Sequence, residues 1–237
     1  MNMNVPIRIS NGLRLDPTHL SGVSRVVIED ASDKMSLSWD RFVRLKRAAE
    51  AVIASKAITV LDAGGYDGAI AYFLDGVTVD VIDPATTGGS VLRVPAEDCS
   101  YDAVVAVDVL EHIEPTKRSE AIGELTRVGR HNLILNYPCL ESKDAQELIL
   151  KLTDNELIRE HVEWELPDTT WVLEELAKHG FSGTVTPHTS IAVWLGQFLT
   201  LNLMPEVARE LNLHLVTSYA DEPSSKPLYH LIVGGRR

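Results

Sequence analysis

"ITVLDAGGYDG", residues 58–68, decides how this chain is organised. Its first half, Ile58 to Ala63, is a short, continuous, β-branched run, the composition of a strand covered on both faces. The run closes on an acid, Asp62, and a glycine-rich turn follows at once. In open parallel sheets, ligands bind beyond the carboxyl ends of the strands, which is where this turn would lie. Downstream, "GAIAYFL" (68–74) reads as a brief helix and "VTVDVID" (77–83) as a second strand. "SVLRV" (90–94) reads as a weak third strand, "YDAVVAVDVL" (101–110) as a strong fourth and "NLILNY" (132–137) as a fifth. Between the last two, "PTKRSEAIGELTRVG" (115–129) starts with proline at a first-turn position, keeps Ala121, Ile122, Leu125 and Val128 on one face, and stops at Gly129. Upstream, Trp39, Phe42, Val43, Ala49, Val52 and Ile53 recur at three- and four-residue steps, an amphipathic helix with Ser36 or Ser38 as its cap. Strands alternating with helices predict an α/β fold. The expected architecture is a Rossmann-like open sheet, mostly parallel with an antiparallel last strand, with helices on both faces.

The flanks are less regular. Residues 1–35 are turn-rich and read as an irregular N-terminal leader with a short strand at Arg25–Ile28. Residues 36–237 read as a single domain. "FSGTVTP" and "PLYHLIVGG" form its last pair of strands, with the helix "TTWVLEELAKHG" (169–180) before them. Helical insertions are expected after strand 5 (139–167) and between strands 6 and 7 (188–226). Each is a candidate substrate lid or assembly surface, since connections this long are seldom plain loops. "IAVWLGQFL" (191–199) is hydrophobic nearly all round, so it reads as a buried or dimer-packing helix and not as a membrane anchor. A homodimer through 189–220 is therefore an expectation.

Length and composition narrow the class further. A chain of 237 residues with 45% hydrophobic and 24% charged residues suits one globular domain. Its two cysteines, Cys99 and Cys139, form no C-x-x-C pair and no disulfide framework, which suits a reduced, cytoplasmic setting. "MNMNVPIRIS" lacks the basic and apolar blocks of a signal peptide, and no apolar run is long enough for a bilayer. Neither a membrane nor a nucleic-acid partner is expected, since the formal net charge is −12. The one basic stretch, "RFVRLKR" (41–47), interleaves its charges with apolar residues and reads as an amphipathic surface helix. No compact His/Asp/Glu set has metal-ligand spacing, so the expected metal content is none.

The strand ends carry the chemistry. The first offers Asp62, Gly64, Gly65 and Gly68; the second offers Asp83; the fourth offers Asp108, Glu111 and His112. An acid about 20 residues after a glycine turn accepts hydrogen bonds from ribose hydroxyls. A dinucleotide pyrophosphate requires G-x-G-x-x-G, which Gly64-Gly65-Tyr66-Asp67-Gly68 does not supply. A mononucleotide phosphate loop requires a lysine after its last glycine, and Ala69 follows Gly68. S-adenosylmethionine has no phosphate, a positive sulfonium and a zwitterionic tail, so Asp62 and Asp67 suit it.

"VLDAGGYDG", "VIDP", "YDAVVAVDVLEHI" and "NLILNYP", in this order, resemble the motifs of class I S-adenosylmethionine-dependent methyltransferases over residues 58–138. The resemblance implies that Asp62, Ala63, Gly64, Gly65, Tyr66 and Gly68 hold the methionine portion of the donor. It implies that Asp83, with Pro84, takes the ribose, that Ala96 and Glu97 form the adenine loop, and that Asp108 and Val109 line the floor near the sulfonium. Tyr66 and Pro95 depart from the family pattern, the first at the middle of the glycine turn and the second where relatives place an acid. Candidate bases are His112 and His161, and candidate substrate contacts are Tyr137 and Trp164. Each has a plainer reading: Asp83 as the cap of the Pro84 turn, Asp108 as a first-turn acid, His112 as a helix-start residue, and His161 with Trp164 as part of a surface helix. The expected function is methyl transfer from S-adenosyl-L-methionine to a small molecule or sugar-containing metabolite, at oxygen. A non-catalytic S-adenosylmethionine-binding partner or sensor domain is the alternative, and a nicotinamide dehydrogenase is a third reading.

Overall fold

Alternate residues of each central strand go to opposite faces, and this is why the apolar runs are continuous. Val60, Ala103, Val105 and Ile134 enter one buried cluster, and Leu61, Val104, Ala106, Leu133 and Leu135 enter the other. The computed structural model describes residues 7–8, 12–218 and 226–237. Nine strands form one sheet: β1 (Ile7–Arg8), β2 (Leu13–Pro17), β3 (Ser24–Ile28), β4 (Thr59–Ala63), β5 (Thr78–Ile82), β6 (Tyr101–Val107), β7 (Gly129–Pro138), β8 (Phe181–Ser190) and β9 (Pro227–Arg236). Their spatial order is β1-β2-β3-β5-β4-β6-β7-β9-β8. The four central strands β5, β4, β6 and β7 are mutually parallel, and β9 runs antiparallel between β7 and β8.

Helices cover both faces. α1 (Trp39–Ser55) lays Phe42, Val43, Ala48, Ala49 and Val52 on one face, joined there by α3 (Lys143–Thr153), α4 (Glu156–Glu163), α6 (Ile191–Leu203) and α7 (Pro205–Ser218). α2 (Arg118–Val128) and α5 (Thr169–Lys178) cover the other through Ala121, Ile122, Leu125, Val172 and Leu176. The insertion after β7 thus supplies α3 and α4, and the one between β8 and β9 supplies α6 and α7. Residues 219–225 of that second insertion lie outside the described residues. α6 seats Trp194 in the core and leaves Leu201 and Leu203 exposed. Among the described residues no helix is long and apolar enough to cross a membrane.

Two expectations are corrected. The described part of the N-terminal segment is not irregular, while residues 1–6 and 9–11 of the expected leader lie outside the described residues. β1, β2 and β3 form an antiparallel meander, and β3 pairs with β5 through Ser24↔Val81 and Arg25↔Asp80. It therefore occupies the sheet edge where "SVLRV" would have paired. Residues 90–94 form no strand; they hold a single bridge, Ser90↔Arg93. Their loop is fixed to α2 instead, with Val94 N–H donating to Glu124 (2.9 Å) and Arg127 donating to the carbonyls of Val94 and Ala96 (2.9 and 2.8 Å). A strand whose edge partner is already taken cannot add to the ladder, so these valines anchor a loop.

Leu13 on β2 is buried in the same cluster as α1. Leu13→Ala should therefore cost about 2–5 kcal/mol in urea unfolding, as for a core leucine. A loss below about 0.5 kcal/mol, the scale of a surface change, would show that the meander is not part of the core.

Candidate active site

The glycine turn after β4 is shaped by close approach. Gly64 has φ +77° and its N–H donates to the Ile82 carbonyl at 2.7 Å. A Cβ on Gly65 would stand 2.0 Å from an Asp62 carboxylate oxygen, so only glycine fits over that acid. Tyr66 is itself left-handed, with φ 54°. Its N–H donates to Asp83 Oδ2 (3.2 Å), and its carbonyl accepts from the Thr86 hydroxyl (2.6 Å). The irregular tyrosine is thus locked to the second strand end, with its ring half exposed on the cleft.

That cleft, of about 500 Å³, opens beyond the carboxyl ends of β4, β5 and β6. It gathers Gly64, Tyr66, Asp83, Pro84, Asp108, Val109, His112 and Trp164 from the expected residues. The rest of the turn supports it from below. Asp62 is buried under Gly65, and among the described residues neither of its oxygens has a hydrogen-bond partner. Burial, reinforced by Asp67 and Asp83 and opposed by Arg41, lifts its carboxyl to about 7. Asp67 is spent elsewhere: it accepts from Arg41 (3.2 Å) and from the Ala69 N–H (3.0 Å). Asp83 Oδ1 accepts from the Ala85 and Thr86 N–H groups (2.8 and 3.2 Å), so the acid both caps the Pro84 turn and faces the cleft.

Ala96 and Glu97 are not in this cleft. They line a different one, of about 720 Å³, at the opposite ends of the strands beside Thr59, Thr78 and Tyr101. The loop that carries them is drawn there by Arg127. Val91 and Leu92, earlier in the same loop, line the cleft instead. Tyr137 is also displaced: it is wholly buried, its hydroxyl 3.2 Å from Thr169 Oγ1, and it faces none of these cavities.

A smaller chamber of about 170 Å³ adjoins the cleft and shares Asp108, His112 and Leu157 with it. Arg44, Gln146, His161, Trp194 and Tyr229 are among its other wall residues, with Pro138, Ile158 and Phe198 adding apolar surface. Here Asp108, at φ 56°, is paired with Arg44, which also meets Asp40 (3.3 Å) and lies over the Tyr229 ring (5.1 Å). His112 Nδ1 is 2.6 Å from Glu160 Oε2, His161 Nδ1 is 3.2 Å from Gln146 Oε1, and the two Nε2 atoms are 3.2 Å apart. Burial, with His112 and Arg44 beside it, brings the His161 imidazole down to about 3, so it is neutral. Glu111, next in the chain, is wholly buried, and burial raises its carboxyl above the ordinary range against the pull of His112, Arg44 and Arg118.

Sequence reading missed Arg44, Gln146, Glu160 and Tyr229. The basic run 41–47 is not a solvated surface face, since Arg41 and Arg44 turn inward to Asp67 and Asp108. One signal was available: Asp40 and Arg44 stand four apart on one helix face, the spacing of an ion pair. The side chains of Arg44 and Asp108 are 12% and 23% exposed, so removing one leaves the other uncompensated. Arg44→Ala should cost about 3–5 kcal/mol in chemical unfolding. A loss under 1 kcal/mol would show that the pair is solvated.

No protein-family model and no curated relative matches the chain. Solved structures share its architecture at low identity. A structure named as a sarcosine dimethylglycine methyltransferase from Galdieria sulphuraria matches with a TM-score of 0.51 and 12% identity, over 81% of this chain and 84% of that one. A 1,6-didemethyltoxoflavin-N1-methyltransferase from Burkholderia thailandensis, with bound 1,6-didemethyltoxoflavin and S-adenosylhomocysteine, matches at 0.49 and 14% identity over 98% of both chains. A magnesium protoporphyrin IX methyltransferase from Synechocystis, with bound SAH, matches at 0.49 and 12% identity over 81% of this chain and 82% of that one. The chain has the fold of the class I S-adenosylmethionine-dependent methyltransferases.

Proposed function

We propose that this protein is a methyltransferase that moves a methyl group from S-adenosyl-L-methionine to a hydroxyl of a small or sugar-containing metabolite. The observation that carries the reading is the pair of adjoining chambers. One lies at the strand ends with Asp83 on its wall; the other is small and mixed in lining, and Asp108 and His112 are common to both. Methyl transfer is an in-line displacement, so an enzyme must mainly align acceptor oxygen, methyl carbon and leaving sulfur. Two chambers that meet at one wall supply that alignment.

The donor fits the larger one. Asp83 would accept the ribose hydroxyls, the Gly64–Gly65 turn would take the methionine end, and the buried Asp62 carboxylate beneath it favours the positive charge of the donor. Tyr66 and Trp164 would border the donor with aromatic faces. Two carboxylates, a guanidinium, two imidazoles and a tyrosine line the second chamber beside Pro138, Leu157, Ile158, Trp194 and Phe198, which suits an acceptor with both hydroxyl and apolar parts. An acceptor hydroxyl must lose its proton as the oxygen attacks, and the His112–His161 pair is the group that meets it there.

The donor assignment is tested by calorimetry. Asp83→Ala should weaken S-adenosylmethionine binding at least tenfold, the loss of charge-assisted hydrogen bonds worth about 1.5–3 kcal/mol. Unchanged affinity in the variant, or NADH binding to the wild type, would overturn the assignment. Donor binding without turnover across a panel of hydroxylated metabolites would favour a non-catalytic binding domain.

A further inference from the structure

We propose that Glu111, His112 and His161 hold a divalent first-row transition-metal ion at the wall between the two chambers. The argument begins with the protons of the two imidazoles. Glu160 can only accept, so His112 Nδ1 donates to it across 2.6 Å. The Gln146 amide oxygen likewise accepts from His161 Nδ1 across 3.2 Å. Both Nδ1 positions therefore carry a proton, and the two Nε2 atoms face each other 3.2 Å apart. Two facing lone pairs repel. Either a shared proton or a cation must lie between them.

Glu111 decides between these. Its side chain is completely buried, and among the described residues no other residue gives its carboxylate oxygens a hydrogen bond; its own backbone N–H is the one donor that holds the carboxyl down. Arg118 is near it but gives its hydrogen bonds to the carbonyls of Leu110, Ile113, Trp164 and Glu165. Arg44 is committed to Asp40 and Asp108. Protonating Glu111 would not settle it, because a buried carboxylic acid still needs an acceptor for its proton. A proton shared by the histidines accounts for the rings and sets a positive charge near Glu111, but it gives the carboxylate no bond. A cation accounts for all three.

The geometry suits one. A ligand oxygen of Glu111 and a ring nitrogen of each histidine all lie within 4.8 Å of one another. Nitrogens about 2.1 Å from a tetrahedral ion stand roughly 3.4 Å apart, close to the observed 3.2 Å. Metal-bound histidines donate their second ring N–H to a carboxylate or carbonyl oxygen, and Glu160 and Gln146 fill that role here. Two imidazoles and a carboxylate select zinc, iron(II), cobalt(II) or manganese over calcium and magnesium, which prefer all-oxygen sites.

Three protein ligands leave coordination positions open, and His112 and His161 both line the acceptor chamber. On the methyltransferase reading above, on which this role rests, the acceptor hydroxyl would take one of those positions. The ion would lower the hydroxyl's pKa, and the proton would be released to solvent. The oxygen lone pair then forms the O–C bond while the C–S bond breaks and sulfur keeps the electron pair. This replaces direct proton abstraction by either histidine, because a nitrogen whose lone pair holds the ion cannot also take a proton.

The test is a cobalt(II) chloride titration of untagged, chelator-treated full chain, read by visible d–d absorption, with S-adenosylmethionine calorimetry on the same samples. One equivalent should bind with d–d bands. His112→Ala and His161→Ala should each weaken binding at least tenfold, and the double variant should abolish the bands while its circular dichroism stays that of a folded chain. Glu111→Gln should also lose affinity, but Glu111 is a buried residue, so the histidine variants decide. Equal cobalt binding by wild type and double variant, or none by the wild type, overturns the ion. Donor binding without cobalt binding ends this proposal alone, whereas cobalt binding without donor binding ends the methyltransferase reading and leaves the ion in place.

Discussion

The contact between Arg44 and Asp108 is the constraint on which the site depends. Asp108 ends β6 in a left-handed conformation, and its N–H donates to the Asn136 carbonyl of β7 (2.8 Å). An aspartate can adopt that conformation at modest cost, but one this far out of water is stabilised by a charge partner. Arg44 supplies it from α1, far from the strand in sequence and adjacent in space. The same guanidinium meets Asp40 and the Tyr229 ring of β9, so a single side chain ties α1, the end of β6 and the antiparallel β9 together. Moving Asp108 would move the wall that both chambers share.

The surrounding electrostatics follow from that wall. A sulfonium donor would be repelled by an uncompensated cation nearby. The inward arginines are accordingly engaged, Arg41 by Asp67 and Arg44 by Asp40 and Asp108. Asp62, in contrast, is left buried and unpaired beneath the turn. The guanidiniums of Arg41 and Arg44 are thus spent on structure, and the unpaired Asp62 carboxyl, lifted to about 7, lies below the glycine turn.

Legibility in the sequence tracked the range of the interaction that sets each feature. The central strands were readable because period-two burial is local, as in Val104 and Val105 of β6. Gly64, Asp83, Asp108 and His112 were readable because the carboxyl ends of neighbouring parallel strands converge once the strands are found. Ala96 and Glu97 were misplaced because their assignment assumed a third strand after β5. The edge of β5 is taken by β3, a pairing between residues more than 50 positions apart that no local pattern announces. Tyr137 failed for a related reason: the end of β7 turns its ring under α5, toward Thr169, while Tyr229 of the antiparallel neighbour reaches the chamber.

The histidine pair shows the same limit most sharply. His112 and His161 each stood out in the sequence, but separately, 49 positions apart, and a search for ligand spacing along the chain cannot join them. What joins them is the packing of α4 against the turn after β6, which Ile158 secures by entering the core beside α3. On that helix His161 lies one residue after Glu160, and the helix starts at the Asn155 cap, whose side chain accepts from Leu157 and Ile158 N–H. The helix therefore delivers the Glu160 carboxylate to His112 Nδ1 and the His161 ring to His112 Nε2 together. A single short helix thus orients the His112 imidazole from one side and faces it from the other. That arrangement would not result from packing apolar residues alone. It requires that the 139–167 insertion be part of the site and not a cover laid over it.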